Sequence, residues 1–377
     1  MELTEKQKRD CLRLALSENV GPIAFRDLIR YFGSADKALA HLDEFACRGR
    51  RKIKIATESQ VDAQLDYVYQ NNIQLLFSVE PDYPKQLCAI EDCPPVLFCK
   101  GHVHLLNEIS VAVVGTRSSS LNGQNLARYM GYGLCEHGYV VTSGMARGID
   151  RSAHEGALQN MNGKGGTVAV LGTDVTSIYP PENKVLYEQI AERGCLISEM
   201  AGGATIKPSC FSRRNRIISG LSRGVLVIEA RLGSGSLVTV RYALDQGREV
   251  FAVPGNPLDD RSSGPNQMIQ QGATLVSKPE DIIAVLDGMK QSYLLFEPET
   301  KEVDLTVVQP VQENDLEKAR QLIDENLNAE PVDIDDLIRQ TGLTAQLVHI
   351  VLVEMELTDQ IERHPRNRVS KLYKIKE

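Results

Sequence analysis

The sequence predicts an α/β protein in which a doubly wound, mostly parallel sheet lies between an N-terminal helical domain and a C-terminal winged-helix domain. Three observations predict this fold class. In residues 76–290, short apolar segments alternate with helical stretches, as in repeated strand–helix–strand units. Residues 1–75 carry a helical spacing of apolar side chains. Residues 313–377 give three short helices and a hairpin, after a polar linker predicted over 291–312.

Composition and charge limit the kinds of protein this chain can be. With 377 residues it is long enough for two or three domains. Its net charge of −8 argues against a nucleic-acid-binding protein whose whole surface is basic, so any DNA site must be a local patch. The charged N-terminus lacks an apolar signal segment, and no apolar run approaches the roughly 18 residues of a membrane span. We therefore expect a cytoplasmic protein that does not contact a membrane.

The cysteines give no metal-binding pattern. The eight cysteines form no Cys-x-x-Cys pair, so a disulfide framework is not indicated. Cys88, Cys93, Cys99 and His102 lie close together in the sequence, but their spacings match no common zinc site. We expect thiols, with no metal and no cofactor.

Within residues 1–75, two helical patterns flank a short turn. The turn Asn19-Val-Gly-Pro22 places proline near the start of the second helix. Two helices around a glycine-bearing hairpin are typical of helix-hairpin-helix modules, in which backbone N–H groups hold a DNA phosphate. A plain structural pair of helices fits the same pattern. The basic run over 48–54 fits either a solvated surface or a phosphate contact.

Six strands are predicted in the middle segment. Most are rich in β-branched residues and almost continuously apolar, as buried parallel strands are. The predicted strands are Ser110–Val114, Tyr139–Thr142, Thr167–Leu171, Cys195–Ser198, Val225–Ile228 and Glu249–Val253. In the last helix, the apolar stretch 282–286 is expected either to pack inside the domain or to pair across a dimer interface.

The C-terminal segment has the order of a winged helix, with Thr344 as the N-cap of its third helix. In winged helices that read DNA sequence, this helix presents Arg, Lys or Asn to the bases. Here the helix is mostly apolar and carries Glu354 and Glu356, so recognition of one duplex sequence is disfavoured. Basic residues of the hairpin, such as Arg363 and Lys371, suit a backbone contact. We expect an accessory or protein-contact role for this domain.

The loops after the predicted strands hold the candidate site, because ligands of open α/β sheets bind outside the carboxyl ends of the strands. Small residues there allow close approach of a ligand, and helix N-termini offer N–H groups to anions. Arginines add positive charge, so this edge suits the phosphates of a nucleic-acid chain. The candidate residues in these loops are Gly115, Arg117, Ser143, Gly144, Arg147, Arg213, Arg214 and Arg216.

Phe211 and Asn215 in the same region each allow two interpretations. A base stacked on the Phe211 ring would contribute about 1–3 kcal/mol, whereas the same ring can instead anchor the start of a helix against the sheet. Asn215 suits a hydrogen bond to a base edge or phosphate, or to a neighbouring loop.

Motifs of nucleotide-binding enzymes are incomplete. A dinucleotide fingerprint needs three glycines after the first strand, and only Gly115 is present there. A phosphate-binding loop that ends in Gly163-Lys164 would need a glycine five residues before Gly163, and that position is Leu158. There is no Gly-x-Ser-x-Gly motif. His154, near Asp150, is expected to cap or brace a loop. No catalytic residue is predicted.

Five motifs in these loops together resemble the DprA/Smf family, the bacterial DNA-processing proteins of natural transformation. They are VVGTR at 113–117, SGMARGID at 143–150, IYPPEN at 178–183, RNRIISGLS at 215–222 and VFAVPG at 250–255. Segments at 19–39, 82–101, 332–348 and 361–369 also resemble the family, so the similarity covers nearly the whole chain.

The resemblance implies an extended Rossmann-like fold with a helix-hairpin-helix-like or SAM-like N-terminal domain and a winged helix. It also implies a homodimer that holds single-stranded DNA in a basic pocket and loads the RecA recombinase, with no catalytic residue or cofactor to transfer. Arg117 corresponds to the arginine of the first glycine loop, and Ser143-Gly144 to the pocket floor. The pocket wall corresponds to Lys207, Phe211, Asn215 and Arg216. Ser212 stands where many members have Pro, which leaves the loop's charge unchanged.

Two other functions stay open at the level of sequence. A nucleotide hydrolase on a related fold would use paired acids, and Glu229 is the one acid near the corresponding place. A winged-helix transcription regulator would select one duplex sequence. Release of free base from nucleoside monophosphates tests the first of these functions, and sequence-selective duplex binding tests the second.

Overall fold

The computed structural model describes residues 2–48, 54–160, 165–295, 313–364 and 367–372. The chain divides into two compact units. The smaller unit combines residues 1–63 with 301–377, and the larger unit consists of residues 64–300. No helix within the described ranges is both long enough and apolar enough to cross a membrane.

The helices and strands are numbered in chain order. The helices are α1 Glu5–Leu16, α2 Pro22–Phe32, α3 Ala35–Arg48, α4 Glu58–Gln70, α5 Lys85–Cys88, α6 Leu121–Glu136, α7 Ile149–Leu158, α8 Lys184–Arg193, α9 Pro208–Leu221, α10 Gly235–Asp245, α11 Ser263–Gln270, α12 Pro279–Leu295, α13 Glu313–Asn326, α14 Ile334–Thr341 and α15 Ala345–Leu357. The strands are β1 Gln74–Phe77, β2 Val96–Gly101, β3 Ser110–Val114, β4 Val140–Ser143, β5 Gly166–Val170, β6 Cys195–Ser198, β7 Gly224–Val227, β8 Glu249–Ala252, β9 Thr274–Leu275, β10 Val332–Asp333, β11 Ile361–His364 and β12 Arg368–Lys371.

The larger unit is built on a nine-stranded sheet in the order β1-β2-β6-β5-β4-β3-β7-β8-β9. Strands β3 to β9 pair in parallel, while β1 and β2 add two antiparallel strands beside β6. From β3 the chain proceeds through β4, β5 and β6 to one side, and then through β7, β8 and β9 to the other. The order in which the chain adds strands therefore reverses between β3 and β7. Doubly wound sheets bind ligands at positions of this kind.

The predicted α/β fold is confirmed. All six predicted strands are present, with ends shifted by at most one residue. Sequence reasoning did not assign β1, β2 and β9. Strand β9 has only two residues, and the antiparallel pairing of β2 with β6 joins residues about a hundred positions apart, for example Gly101 and Cys195.

Helices cover both faces of this sheet. Side chains of β3 alternate, because successive residues of a strand point to opposite faces. Val111 and Val113 pack in one apolar cluster with α6, α7 and α12, whereas Ala112 and Val114 pack in another with α9 and α10. Ile282 and Leu286 of α12 are buried in the first cluster, so they pack inside the domain.

The smaller unit contains α1 to α3 and the winged-helix elements α13 to β12. Helix α2 begins at Pro22, as predicted from the turn before it. The hydroxyl of Thr344 accepts a hydrogen bond from the Leu347 N–H (3.3 Å), which confirms Thr344 as the N-cap of α15. Strand β12 lies between β10 and β11, and all of the pairing is antiparallel.

Helix α12 extends into the predicted linker. The linker was expected from residue 291, but α12 continues to Leu295, so residues 291–295 are helical. Residues 296–312 lie outside the described residues, as do 49–53 of the basic run and Arg366 of the hairpin.

Candidate nucleic-acid interface

The candidate site lies at the carboxyl edge of the parallel strands, around the reversal between β3 and β7. Gly115, directly after β3, is required by close packing. A Cβ atom there would lie 2.5 Å from a side-chain carbon of Ile149 and 2.9 Å from the Glu229 carbonyl oxygen. Gly148 has a φ of +76°, and a Cβ there would lie 2.4 Å from the Thr116 carbonyl oxygen. These glycines bring the loops after β3, β4 and β7 together.

Four predicted cations are exposed at this edge, namely Arg117, Arg147, Lys207 and Arg213. Two of them have acidic partners. Arg147 forms an ion pair with Glu182, and Arg213 lies 3.4 Å from Glu199. Arg117 and Lys207 have no ion-pair partner among the described residues. These two are therefore the cations that a phosphate can approach without displacing a carboxylate.

An aromatic pair lies at the same edge. The rings of Tyr179 and Phe211 have centroids 5.1 Å apart at an interplanar angle of 42°. Phe211 also packs over Gly172, where a Cβ atom would lie 2.7 Å from the ring. Phe211 is thus anchored against the end of β5, and the Tyr179 ring beside it remains 47% exposed. Sequence reasoning quoted the segment around Tyr179 only as a family motif and did not place its ring at the site.

Arg214 is buried and does not face solvent, contrary to the expectation that it contacts DNA. Its guanidinium donates to the carbonyl oxygens of Gly144 (2.6 Å) and Val170, and so joins the ends of β4 and β5. Burial lowers the pKa of Arg214 to about 10, although nearby Asp150 opposes this shift. Burial likewise raises the pKa of Asp150, which Arg214 opposes. Arg214 is a positioning residue beneath the surface.

The predicted pocket floor is also internal. Ser143 is completely buried, and its hydroxyl donates to the Val113 carbonyl oxygen at 2.6 Å. The Gly144 N–H donates to Asp150 at 3.2 Å, and the Arg214 guanidinium fills the space above the Gly144 α-carbon. Ser143 and Gly144 therefore shape the loop after β4 from within, and a ligand on the surface would not touch them directly.

Arg216 is likewise buried, with its side chain 2% exposed. Its guanidinium lies 2.9 Å from Asp92 and 2.6 Å from Glu199. Glu199 therefore joins buried Arg216 to exposed Arg213 on the next turn of α9. The expected direct contact between Arg216 and DNA does not fit this geometry, because ion pairs already occupy the guanidinium in the interior.

Asn215 forms a hydrogen bond to a neighbouring loop, which is the second of the two interpretations of its sequence position. Its amide donates to the Gly235 carbonyl oxygen (3.3 Å), and its side-chain oxygen accepts from Arg214 (3.2 Å). The residue ties α9 to the start of α10 and is partly accessible.

Glu229, the acid considered for a hydrolase, has a structural role. Its carboxylate accepts hydrogen bonds from the Ser120 N–H (2.9 Å) and the Ser120 hydroxyl (2.5 Å) at the start of α6. A helix N-terminus after the first parallel strand is where a Rossmann-type fold holds a nucleotide phosphate. Here a carboxylate of the chain itself occupies that position.

His154 braces the sheet from inside, as the brace interpretation expected, but its partner lies on β5. Its Nδ1 lies 2.7 Å from the Thr167 hydroxyl, and the ring is fully buried. Burial, with a smaller contribution from Arg214, lowers the pKa of His154 to about 3. The ring therefore stays neutral at ordinary pH and does not reach the exposed edge.

The fold and this edge define a Rossmann-like α/β protein that presents exposed cations and an aromatic pair at its strand ends. Comparison with known proteins gives the family. Residues 74–287 match the model of DNA recombination-mediator protein A, and the chain belongs to this family. Residues 5–66 match the DprA-like N-terminal HHH domain, and residues 308–367 match the DprA winged helix domain.

Individual relatives support the same assignment. The chain is 32% identical to Protein Smf of Synechocystis, over 93% of this chain and 95% of that protein. It is 39% identical to Protein Smf of Escherichia coli, over 81% and 79%. The structure of DNA processing protein A from Streptococcus pneumoniae aligns with a TM-score of 0.63 and 35% identity, covering 75% of this chain and 98% of that one. DNA processing protein A from Helicobacter pylori, whose structure describes a single-stranded DNA binding mode, aligns with a TM-score of 0.52 and 28% identity, covering 58% and 96%.

Proposed function

We propose that this protein binds single-stranded DNA along the carboxyl edge of its parallel strands and acts by binding, without catalysis. The observation that carries the proposal is the aromatic pair Tyr179–Phe211 on the same edge as exposed Arg117 and Lys207. Bases stack on aromatic rings whatever their identity, while phosphates bind cations. The single-stranded DNA binding of the Helicobacter pylori relative supports the same assignment.

Stacking gives the preference for single strands. In a duplex the base faces are covered by neighbouring base pairs, so a ring on the protein surface reaches them only after unstacking. In a single strand the faces are accessible, and each stacked base contributes about 1–3 kcal/mol. Direct phosphate contacts come from Arg117 and Lys207, and from Arg147 and Arg213 after exchange of their carboxylate partners.

Fluorescence anisotropy with labelled oligothymidine and a duplex of equal length tests this proposal. We expect the wild type to prefer the single strand and Arg117→Ala to bind it more weakly, with the larger loss at low salt. Arg223→Ala is the matched control, because Arg223 is exposed but precedes β7, at the opposite edge of the sheet. Equal weakening by both variants, or equal affinity for both DNA forms, would remove the proposal.

We further propose that the bound strand is passed to a RecA-type recombinase in the cytoplasm, during natural transformation or recombination. The family description as a recombination mediator supports this step. The test is the assembly of recombinase filaments on single strands already coated with a single-strand-binding protein. The wild type should shorten the lag of assembly, and Arg117→Ala should not. An equal lag with and without wild-type protein would contradict delivery.

We also propose that the chain forms a homodimer. Leu258, after β8, is 94% exposed, and Leu275, on the last strand of the sheet, is 52% exposed. An interface that covers these two side chains would remove exposed apolar surface from water. Sedimentation velocity should give a dimer for the wild type and a monomer for the double variant Leu258→Glu, Leu275→Glu. A dimer that persists in the double variant would place the interface elsewhere.

A further inference from the structure

Helix α15 occupies the position of the DNA-reading helix in a winged helix, but its surface is unlike a reading surface. A reading helix keeps polar side chains on its outer face for base edges. In α15, eight residues are buried, including Val348, Leu352, Met355 and Leu357. A helix that is buried around most of its circumference is covered from more than one side.

Helices of two different segments of the chain cover α15 within the smaller unit. On the side of its own domain, Glu354 accepts from Arg320 of α13 at 2.9 Å. Helix α2 of the N-terminal helical segment also packs against α15, with Ala24, Phe25 and Leu28 buried. The helix that would enter a DNA groove is thus in contact with protein.

A charged network crosses this contact. Asp27 of α2 lies 3.1 Å from the Arg363 guanidinium, and both side chains are at least nine-tenths buried. The same guanidinium lies 2.8 Å from Glu356 at the end of α15. Buried ion pairs contribute little net stability, because desolvation offsets their attraction, but losing one partner of a buried pair is costly. If α2 and α15 separated, Asp27 would keep, among the described residues, only its 3.3 Å contact with Arg26, and Arg363 would keep only Glu356. The Asp27–Arg363 pair therefore favours the orientation in which the two helices meet.

We propose that α15 is a docking helix for the N-terminal helical segment of the same chain, and that the Asp27–Arg363 pair makes this docking specific. The winged helix then holds the N-terminal helical segment in place within the protein, and α15 does not read duplex DNA. This proposal is independent of single-strand binding at the sheet edge.

Hydroxyl-radical footprinting of the full chain, read by peptide mass spectrometry, measures the exposure of α15 side chains. In Asp27→Arg the new cation faces Arg363, and we expect oxidation of the α15 peptide to increase at least about tenfold, since removal of one partner from a buried pair has a large cost. Asp27→Asn, which keeps the side-chain size, should give a smaller increase in a folded protein. Asp336→Arg is the matched control, because Asp336 pairs with Arg339 on the exposed surface of α14.

The Asp27 variants can overturn the proposal in three ways. The first is unchanged oxidation of α15 in both Asp27 variants. The second is an equal increase in the peptides of α13 and α14, which would mean that Asp27 supports the winged-helix fold and not docking. The third is tighter duplex binding by Asp27→Arg, which would identify α15 as a masked reading helix. Protection of α15 that persists on hundredfold dilution of the wild type would support docking within one chain, and loss of protection would contradict it.

Discussion

At the scale of single residues, Tyr179 has the most direct expected effect on DNA binding. Its exposed ring stands beside Phe211, so Tyr179→Ala should weaken oligothymidine binding by about 1–3 kcal/mol, which is roughly 5- to 150-fold. Tyr179→Phe keeps the ring and should bind within about twofold of the wild type. Tyr129→Ala is the control, since Tyr129 is 49% exposed on α6. Anisotropy measures all three, and a normal affinity for Tyr179→Ala would exclude stacking there.

His154 gives a prediction about acid stability. Its folded pKa is about 3, below the ordinary 6.5, so between these values the unfolded chain holds a proton that the native protein does not. The contribution of His154 to the free energy of unfolding is therefore fully present above pH 6.5 and falls by about 1.4 kcal/mol for each pH unit below it.

Urea unfolding of wild type and His154→Gln at pH 7.5, 6 and 5 measures this effect. The difference between the two proteins should shrink as the pH falls, because the variant has no imidazole to protonate. His137→Gln serves as the control histidine. A difference that stays constant over this range would show that His154 titrates normally in the folded protein.

At the scale of elements, α9 carries one exposed arginine, Arg213, and one buried, ion-paired arginine, Arg216. The sequence Arg213-Arg-Asn-Arg216 does not show which of them is exposed. Arg213 is 59% exposed, whereas the Arg216 side chain is 2% exposed between Asp92 and Glu199. Arg216→Ala removes the buried cation that Asp92 and Glu199 share, and within the described ranges Glu199 keeps only its longer contact with Arg213, so the free energy of unfolding should fall by about 3–5 kcal/mol. Arg213→Ala should change it by less than about 1 kcal/mol and weaken DNA binding instead. Chemical denaturation and anisotropy on both variants separate these effects, and a stable Arg216→Ala would contradict the assignment.

The start of α6 gives a second test at this scale. Glu229→Gln replaces two charge-assisted hydrogen bonds to Ser120 by weaker ones, and we expect a loss of about 1–2 kcal/mol in the free energy of unfolding. Affinity for oligothymidine should stay within about twofold, because Glu229 faces α6 and not the exposed cations. Free base released from nucleoside monophosphates by the wild type, and abolished in Glu229→Gln, would favour the hydrolase instead.

At the scale of the whole molecule, the acidic charge restricts the proposed DNA binding to a local patch. A chain of net charge −8 has no general attraction for phosphates, so affinity depends on the few exposed cations at the sheet edge. For two to four phosphate contacts, the logarithm of the binding constant should fall with the logarithm of salt concentration with a slope between about −1.4 and −2.8. Lys207→Ala should reduce the magnitude of this slope by about 0.7. A slope steeper than about −5 would require a second basic surface.

The sequence by itself determined the fold class and the order of the domains, and it indicated the sheet edge that we propose as the site. These follow from local signals. The apolar pattern of strands such as Ser110–Val114 consists of consecutive residues, and small and basic residues follow the strands directly. Caps such as Thr344 are equally local, since an N-cap bonds an N–H only three residues further on.

Only the tertiary structure decided which of the predicted site residues reach the surface. Arg213 and Arg216 have the same chemistry and lie one turn apart, yet the Arg216 side chain is buried between Asp92, from a distant part of the chain, and Glu199, from the loop before α9. The Tyr179–Phe211 pair and the contact of α2 with α15 likewise join residues far apart in sequence. The physical reason is that burial and pairing depend on packing between elements, which no local pattern of residues specifies.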